Sequence, residues 1–450
     1  MSHTILIIVV FSAILLLLLL VLKFKLNAFI SLLIVSMFVG LAAGMPPADV
    51  LKSIQDGMGG TLGFVATVVG LGAIFGALLE HSGGAESLAH YMIGKFGKGK
   101  ASWAMVITGF IISIPVFFDV GFIILVPIVY ALSRDTNKPI LYYGIPLLAG
   151  MAVTHSFIPP TPGPIAVTEI IGANLGWVIL LGFIIGIPTA IIAGPVFGNY
   201  ISKKIPVGPP DLFDHHVSTD KETLPAFGLI AGIIAVPIVL ILIDTITAVF
   251  VDNGMISSGF ITATISFLGH PFTALMIATL LALYFLGTKR NVGKNELMDI
   301  STKALGPAGI IILITGAGGV FKEVLVDSGI GNILAESLSN SALPPIALAW
   351  IIAVAVRITQ GSSTVAMITA AGIMAPILEV FELSQPQLAL IVLSIAAGAT
   401  ILSHVNDTGF WLVGKYFGLT EKQTLQSWTV MESIVSVAGF AFALVLSFFV

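Results

Sequence analysis

The chain has 450 residues, of which 57% are hydrophobic and only 9% charged, with a net charge of −4 and a mean hydropathy of +1.08. A soluble domain carries about 25% charged residues, so this composition excludes one and requires an all-α polytopic membrane protein. The small net charge gives no ground for a nucleic-acid partner, and the absence of cysteine excludes disulfides and thiolate metal sites.

Long apolar runs fall at residues 4–22, 26–46, 61–79, 101–133, 140–160, 174–199, 225–251, 256–287, 304–321, 343–356, 364–380, 386–403 and 428–449. A helix needs about 20 residues to cross about 30 Å of hydrocarbon, so about twelve transmembrane helices are expected, and 101–133 is long enough to enter and return. The first run has no basic segment before Ile5, and Lys23 and Lys25 stand where a secretory cleavage site would lie. It reads as a retained helix with its N-terminus outside. Lysine and arginine gather at Lys23 and Lys25, at Lys95, Lys98 and Lys100, at Arg134 and Lys138, at Lys203 and Lys204, and at Lys289, Arg290 and Lys294. These positions are expected on the cytoplasmic side of an inner membrane. The parity of spans between 225 and 287 stays open, because 256–268 is short for a crossing.

The same punctuation recurs at a step of 246 residues: Gly72 with Gly318, Ser82-Gly83 with Ser328-Gly329, Gly163 with Gly409, and Gly172 with Gly418. Residues 81–100 carry three lysines while their counterparts 327–346 carry none, and the basic 288–294 pairs with a 42–48 that has none. The copies are therefore expected to point oppositely, as two inverted repeats. The chain divides into a first transmembrane half at 1–199 (the N-terminal helix plus repeat 1), a hydrophilic cytoplasmic linker at 200–224 and a second half at 225–450.

Irregular backbone at membrane depth is tolerated only where protein or a water-filled cavity surrounds it. Two such breaks are repeat mates: Thr154-His155-Ser156-Phe157-Ile158-Pro159-Pro160-Thr161-Pro162-Gly163-Pro164 and Ser403-His404-Val405-Asn406-Asp407-Thr408-Gly409-Phe410-Trp411. Four prolines within six residues cannot continue a helix, which frees backbone groups for a ligand or makes a structural hinge. A second pair lies at Ile114-Pro115-Val116-Phe117-Phe118-Asp119-Val120-Gly121 and at Thr359-Gln360-Gly361-Ser362-Ser363-Thr364-Val365, both read as tips of re-entrant hairpins. A helix beginning at Ser362 or Ser363 would aim free N–H groups at a carboxylate; alternatively Ser362, Ser363 and Thr364 are helix caps alone.

Charge inside a membrane requires a partner or a task. Arg357, just before the Ser-Ser-Thr break, could take a substrate carboxylate bidentately or form a structural ion pair. Asp119 and Asp407 are candidate proton carriers, with pairing to Arg357 as the alternative for Asp119; His155 and His404 could relay protons or be buried structural histidines. Asp244 favours a structural role. Gly94-Lys95-Phe96-Gly97-Lys98-Gly99-Lys100 fits phosphate-loop spacing, but Ala101 replaces the metal-binding hydroxyl and no parallel sheet precedes it, so ATP is not the energy source. Gly72 and Gly76, four apart, read as a helix-packing pair.

At these same residues the chain resembles the gluconate permeases, proton-coupled sugar-acid symporters of the ion transporter superfamily. The resemblance runs through Gly59-Gly60-Thr61-Leu62-Gly63, Ser82-Gly83-Gly84-Ala85, Phe118-Asp119-Val120-Gly121, the Pro159 to Pro164 segment, Gly361-Ser362-Ser363-Thr364-Val365-Ala366 and the Ser403 to Trp411 segment. It implies uptake of a gluconate-like anion with H⁺ through re-entrant hairpins, by an elevator movement in a homodimer within the lipid bilayer, without a cofactor or metal. The substrate-binding set is then Thr154, His155, Pro160, Thr161, Gly163, Arg357, Ser362, Ser363, Thr364, Asn406 and Asp407, and the proton-coupling set Asp119, Asp407 and His404. Asp119, Thr161 and Ser363 stand where typical gluconate members have Glu, His and Ala, so another acid, such as a four-carbon sugar acid or D-serine, is an alternative. Na⁺ coupling is another, and a channel or a membrane-embedded hydrolase are remote ones.

Overall fold

The computed structural model describes residues 3–210, 224–330, 343–379 and 381–450. Most of the expected linker, and much of the lysine-free 327–346 segment, lie outside the described residues. Among these residues the chain is helical and forms no strand. Seven helical stretches are long and apolar enough to cross a membrane: Pro47–His81, Leu141–Ile171, Leu175–Lys204, Phe227–Asp252, Pro271–Arg290, Lys294–Asp327 and Glu421–Leu446. Six further apolar helices are shorter: Ala28–Ala42, Ala101–Ile112, Phe260–Gly269, Pro345–Gln360, Ser363–Leu378 and Gln385–Gly398. At about 1.5 Å per residue, Ala101–Ile112 is about 18 Å long, short of the about 30 Å that a crossing needs.

The open parity of 225–287 resolves into two spans. Phe260–Gly269 has ten residues, lies against Phe227–Asp252 and exposes Phe260 and Ile261. It is too short to cross, and Pro271 starts the next span.

Glycine and proline set the ends. Pro47–His81 and Lys294–Asp327 each close on a serine followed by a left-handed glycine, Gly83 at φ 74° and Gly329 at φ 71°. Pro162–Ile171 and Thr408–Phe417 each close on a left-handed glycine, Gly172 at 75° and Gly418 at 65°. Only glycine takes this conformation without a side-chain penalty. The two long helices run antiparallel: Ser53 Oγ donates to Asp327 Oδ2 at 2.5 Å at one end, and His81 Nε2 stands 3.3 Å from Glu296 Oε1 at the other. Between these ties, a Cβ on Gly57 would lie 2.7 Å from the Gly319 carbonyl oxygen, so glycine sets the crossing distance.

Leu141–Phe157 is the central helix, buried along all of its length except at Tyr142 and His155. Gln385–Gly398 is buried continuously from Ala389. Helices apolar on every side pack in the middle, and both run directly into the expected breaks. Four lysines of the basic clusters lie over aromatic rings at helix ends: Lys95 on Tyr91, Lys138 on Tyr142, Lys204 on Tyr200 and Lys289 on Phe285, at 4.0–5.9 Å. Such pairs suit a membrane–water boundary, where the stem stays apolar and the ammonium reaches water.

Candidate functional site

Three of the four breaks, and the helix that leads into the fourth, converge on one cavity of about 500 Å³, within the range of about 300–1,000 Å³ typical of small-molecule sites. Its walls come from the Phe117–Val120 turn, the Gln360–Thr364 break, the Asn406–Gly409 turn, His155 and Ser156 of the central helix, and Trp428 and Glu432 of the last span.

The Gly361 break is built by local chemistry. Pro345–Gln360 ends on Gly361 at φ 77°, whose N–H donates to the Arg357 carbonyl, and Ser362 accepts from Val365 N at 3.4 Å to cap Ser363–Leu378. The first turn of that helix, Ser363 and Thr364, borders the cavity, so its free N–H groups and positive dipole end meet whatever occupies it. Asn406 Nδ2 donates to the Ile358 carbonyl at 3.1 Å, joining this break to the one before Thr408. A Cβ at Gly361 would collide with the Asn406 carbonyl, so the two breaks touch only because residue 361 is glycine.

Arg357 and Asp407 form the electrostatic centre. Arg357 Nη2 donates to Asp407 Oδ2 at 2.6 Å with the side chains 2% and 18% exposed, and Nη1 donates to the Gly361 carbonyl. Asp407 also accepts from Ser403 Oγ and from Gly409 N at 3.2 Å, the latter capping Thr408–Phe417. Trp428 Nε1 donates to Ser403 Oγ at 2.7 Å, which extends the chain of bonds into the last span. Asp119 therefore stands apart from the ion pair that was its alternative partner; it lies on the first turn of Phe118–Thr136, at the cavity wall.

Several polar atoms around the cavity are buried without a hydrogen-bond partner among the described residues: Arg357 Nε, His155 Nδ1, Ser363 Oγ and both amide atoms of Gln360. A buried unpaired polar group is costly, and a cluster of them around one void is where a polar ligand would supply the missing bonds.

Of the expected substrate set, His155, Arg357, Ser362, Ser363, Thr364, Asn406 and Asp407 border the cavity. Four do not. Thr154 is buried and donates to the Phe110 carbonyl at 2.8 Å, Thr161 to the Ile158 carbonyl at 2.8 Å, and Gly163 packs on the Met367 sulfur. Pro160 and Thr161 face Gly72 across a separate, narrow gap. His404 is held by the Ile358 carbonyl at 3.2 Å, outside the cavity. Asp244 packs on Gly269, at the break between two helices, which fits its structural reading. Gly72 faces the Pro160 carbonyl and Gly76 the Pro115 carbonyl, so the pair receives the broken backbone of two interruptions and not the neighbouring helix that was expected.

Sequence reasoning missed Gln360, Trp428 and Glu432. Glu432 had a signal, since it is an acid inside the apolar run 428–449; Trp428 had none, because its bond to Ser403 depends on a fold contact 25 residues away.

The sequence profile described as "GntP family permease" matches residues 4–449. A gluconate permease of Bacillus subtilis (strain 168) is 43% identical over 98% of this chain and 99% of its own. A low-affinity gluconate transporter of Escherichia coli (strain K12) is 41% identical over 98% and 97%, and the Gnt-II system L-idonate transporter of the same organism 39% over 96% and 97%. Among solved structures, the YdaH transporter of Alcanivorax borkumensis superimposes with a TM-score of 0.63 at 12% identity over 94% of this chain and 98% of its own, and Neisseria gonorrhoeae MtrF with 0.65 at 13% over 92% and 93%. At such identities these two share the fold.

Proposed function

Because the chain belongs to the GntP family of permeases, a multi-pass membrane transporter rather than an enzyme, we propose that it imports gluconate or a related sugar acid across the inner membrane by proton symport. The observation that carries this reading is the convergence, around one cavity, of a guanidinium, a helix N-terminus and unpartnered buried polar atoms. A sugar acid offers the complement: one carboxylate for Arg357 Nε and the Ser363 end, and a row of hydroxyls for Gln360, His155 and Ser363.

Proton rather than sodium coupling is supported by Arg357 itself. Its guanidinium bridges the Gly361 carbonyl and the Asp407 carboxylate, the oxygen pair that a Na⁺ at this break would need. Alternating access is supported by helix ends that recur at the 246-residue step and by the antiparallel run of the mates Pro47–His81 and Lys294–Asp327. Two halves, 1–199 and 225–450, then form inverted repeats with re-entrant hairpins at Ser113–Phe117 and Gly361, joined by the 200–224 linker. Elevator movement in a homodimer rests on the family resemblance alone.

A different sugar acid as the main substrate is favoured by Asp119 and Ser363, two of the three departures from the gluconate pattern, because both border the cavity. The L-idonate transporter among the relatives shows that acids other than gluconate occur at similar identity. Counterflow into proteoliposomes tests the carrier and its specificity together: labelled gluconate should exchange against unlabelled aldonates and resist D-serine. Exchange of labelled D-serine with none of gluconate or other aldonates would remove the sugar-acid reading, and flux without exchange would indicate a channel.

A further inference from the structure

Three carboxyls border the cavity, those of Asp119, Asp407 and Glu432, and they differ sharply in setting. Asp407 is committed, accepting from Arg357, Ser403 and Gly409. Asp119 is exposed to the cavity and sits in the first turn of a helix, where free N–H groups favour the anion. Glu432 is 5% exposed, meeting only the cavity edge, and lies within the continuous Glu421–Leu446 stretch, so little water and no free helix end stabilise a charge on it. The elements packed against its helix bring few other charges. Gln385–Gly398 and Leu175–Ile191 carry no titratable side chain; Pro345–Gln360 brings Arg357, and Leu141–Phe157 brings His155, with Tyr142 and Tyr143 at its far end. The turn before Thr408 adds Asp407, and the Phe118 turn adds Asp119.

The charges do not balance. With every carboxyl ionised, one guanidinium faces three carboxylates, and a sugar acid reaching Arg357 Nε would add a fourth negative charge. Like charges desolvated at one site cannot all remain. We propose that Glu432 binds the coupled proton, so that its carboxyl is neutral while the substrate anion occupies Arg357 and ionised after the anion has left. The linkage is reciprocal: substrate favours proton uptake at Glu432, and a proton there favours substrate. This deepens the symport reading and rests on it.

The test compares wild-type protein and Glu432→Gln in proteoliposomes, using labelled gluconate in counterflow and in accumulation driven by an imposed pH gradient. Expected is that Glu432→Gln still exchanges gluconate, with exchange no longer dependent on pH, and loses pH-driven accumulation by at least tenfold. Accumulation at the wild-type level in this variant overturns the proposal. So does loss of exchange in a variant that remains monodisperse with wild-type helicity, since Glu432 would then be needed for binding. If Glu432→Gln does not fold, Glu432→Asp decides: a moved pH midpoint of uptake supports the carboxyl as carrier, and an unmoved one overturns it. Failure of the wild-type protein to exchange gluconate or any other sugar acid removes the sugar-acid reading itself, a result distinct from the others.

Discussion

Arg357 and Asp407 are 50 residues apart in the chain and 2.6 Å apart in space, one closing the helix before the Gly361 break and the other capping the helix after the Ser403 break. A single ion pair thus latches two interruptions of the helical backbone, and the Arg357 bond to the Gly361 carbonyl fixes the latch on one side. With Nη1 and Nη2 each engaged once, Nε is the guanidinium nitrogen that has no partner among the described residues.

Removing one partner of a buried ion pair costs about 3–5 kcal/mol, because the other charge is left uncompensated. Arg357→Ala and Asp407→Asn should each lower the detergent melting temperature and abolish uptake. The double variant should be less destabilised than the two singles summed. Arg357→Lys should not rescue transport, since one ammonium cannot reproduce the planar fork. Additive losses in a double-mutant cycle would show that the pair is not a unit.

Two glycines should respond in opposite ways to the same substitution. A Cβ at Gly76 would collide with the Pro115 carbonyl, whereas a Cβ at Gly63 meets open space. Gly63→Ala should keep transport and gain up to about 1 kcal/mol of helix stability. Gly76→Ala should displace the Ser113–Phe117 break and cost uptake. Equal behaviour of the two variants would contradict the packing described.

The three departures from the gluconate pattern should separate by position. Ser363→Ala and Asp119→Glu alter the cavity wall and should change the ratio in which gluconate and shorter sugar acids compete. Thr161→Val removes a buried hydrogen bond, at a cost of about 1 kcal/mol, and should lower stability while leaving that ratio alone. A changed ratio in Thr161→Val would bring residue 161 into the site.

The absence of native cysteine makes topology directly measurable. Ser82 and Ser328 are mates at the 246-residue step, each bonded to the carbonyl three residues before it. Ser82→Cys should react with an impermeant maleimide from the cytoplasmic side and Ser328→Cys from the opposite side. Labelling of both from one side would rule out inversion.

Much of this was legible because helix ends and breaks are written locally. The left-handed glycines at 83, 172, 329 and 418, the proline cluster at 159–164 and the Gly361 break each announce themselves by residue type alone. The intramembrane charges Arg357 and Asp407 were visible for the same reason, as was Glu432 in principle. What the sequence could not supply was facing. The central helix is apolar around nearly its whole circumference, so no periodicity told that Thr154 turns to the Phe110 carbonyl while His155, one residue on, borders the cavity. Partner choice was equally hidden: Asp119 was the acid weighed against Arg357, and the fold selects Asp407 instead.

The central claim is transport of a sugar acid driven by protons, and gradient-driven uptake measures it most directly. Wild-type protein in proteoliposomes should accumulate labelled gluconate, or another sugar acid that competes with it, when the outside is made acidic, and should not respond to an inward Na⁺ gradient at equal pH. Accumulation driven by Na⁺ alone would contradict the account, because the break before Ser362 would then have to hold a sodium ion where the Arg357 guanidinium lies.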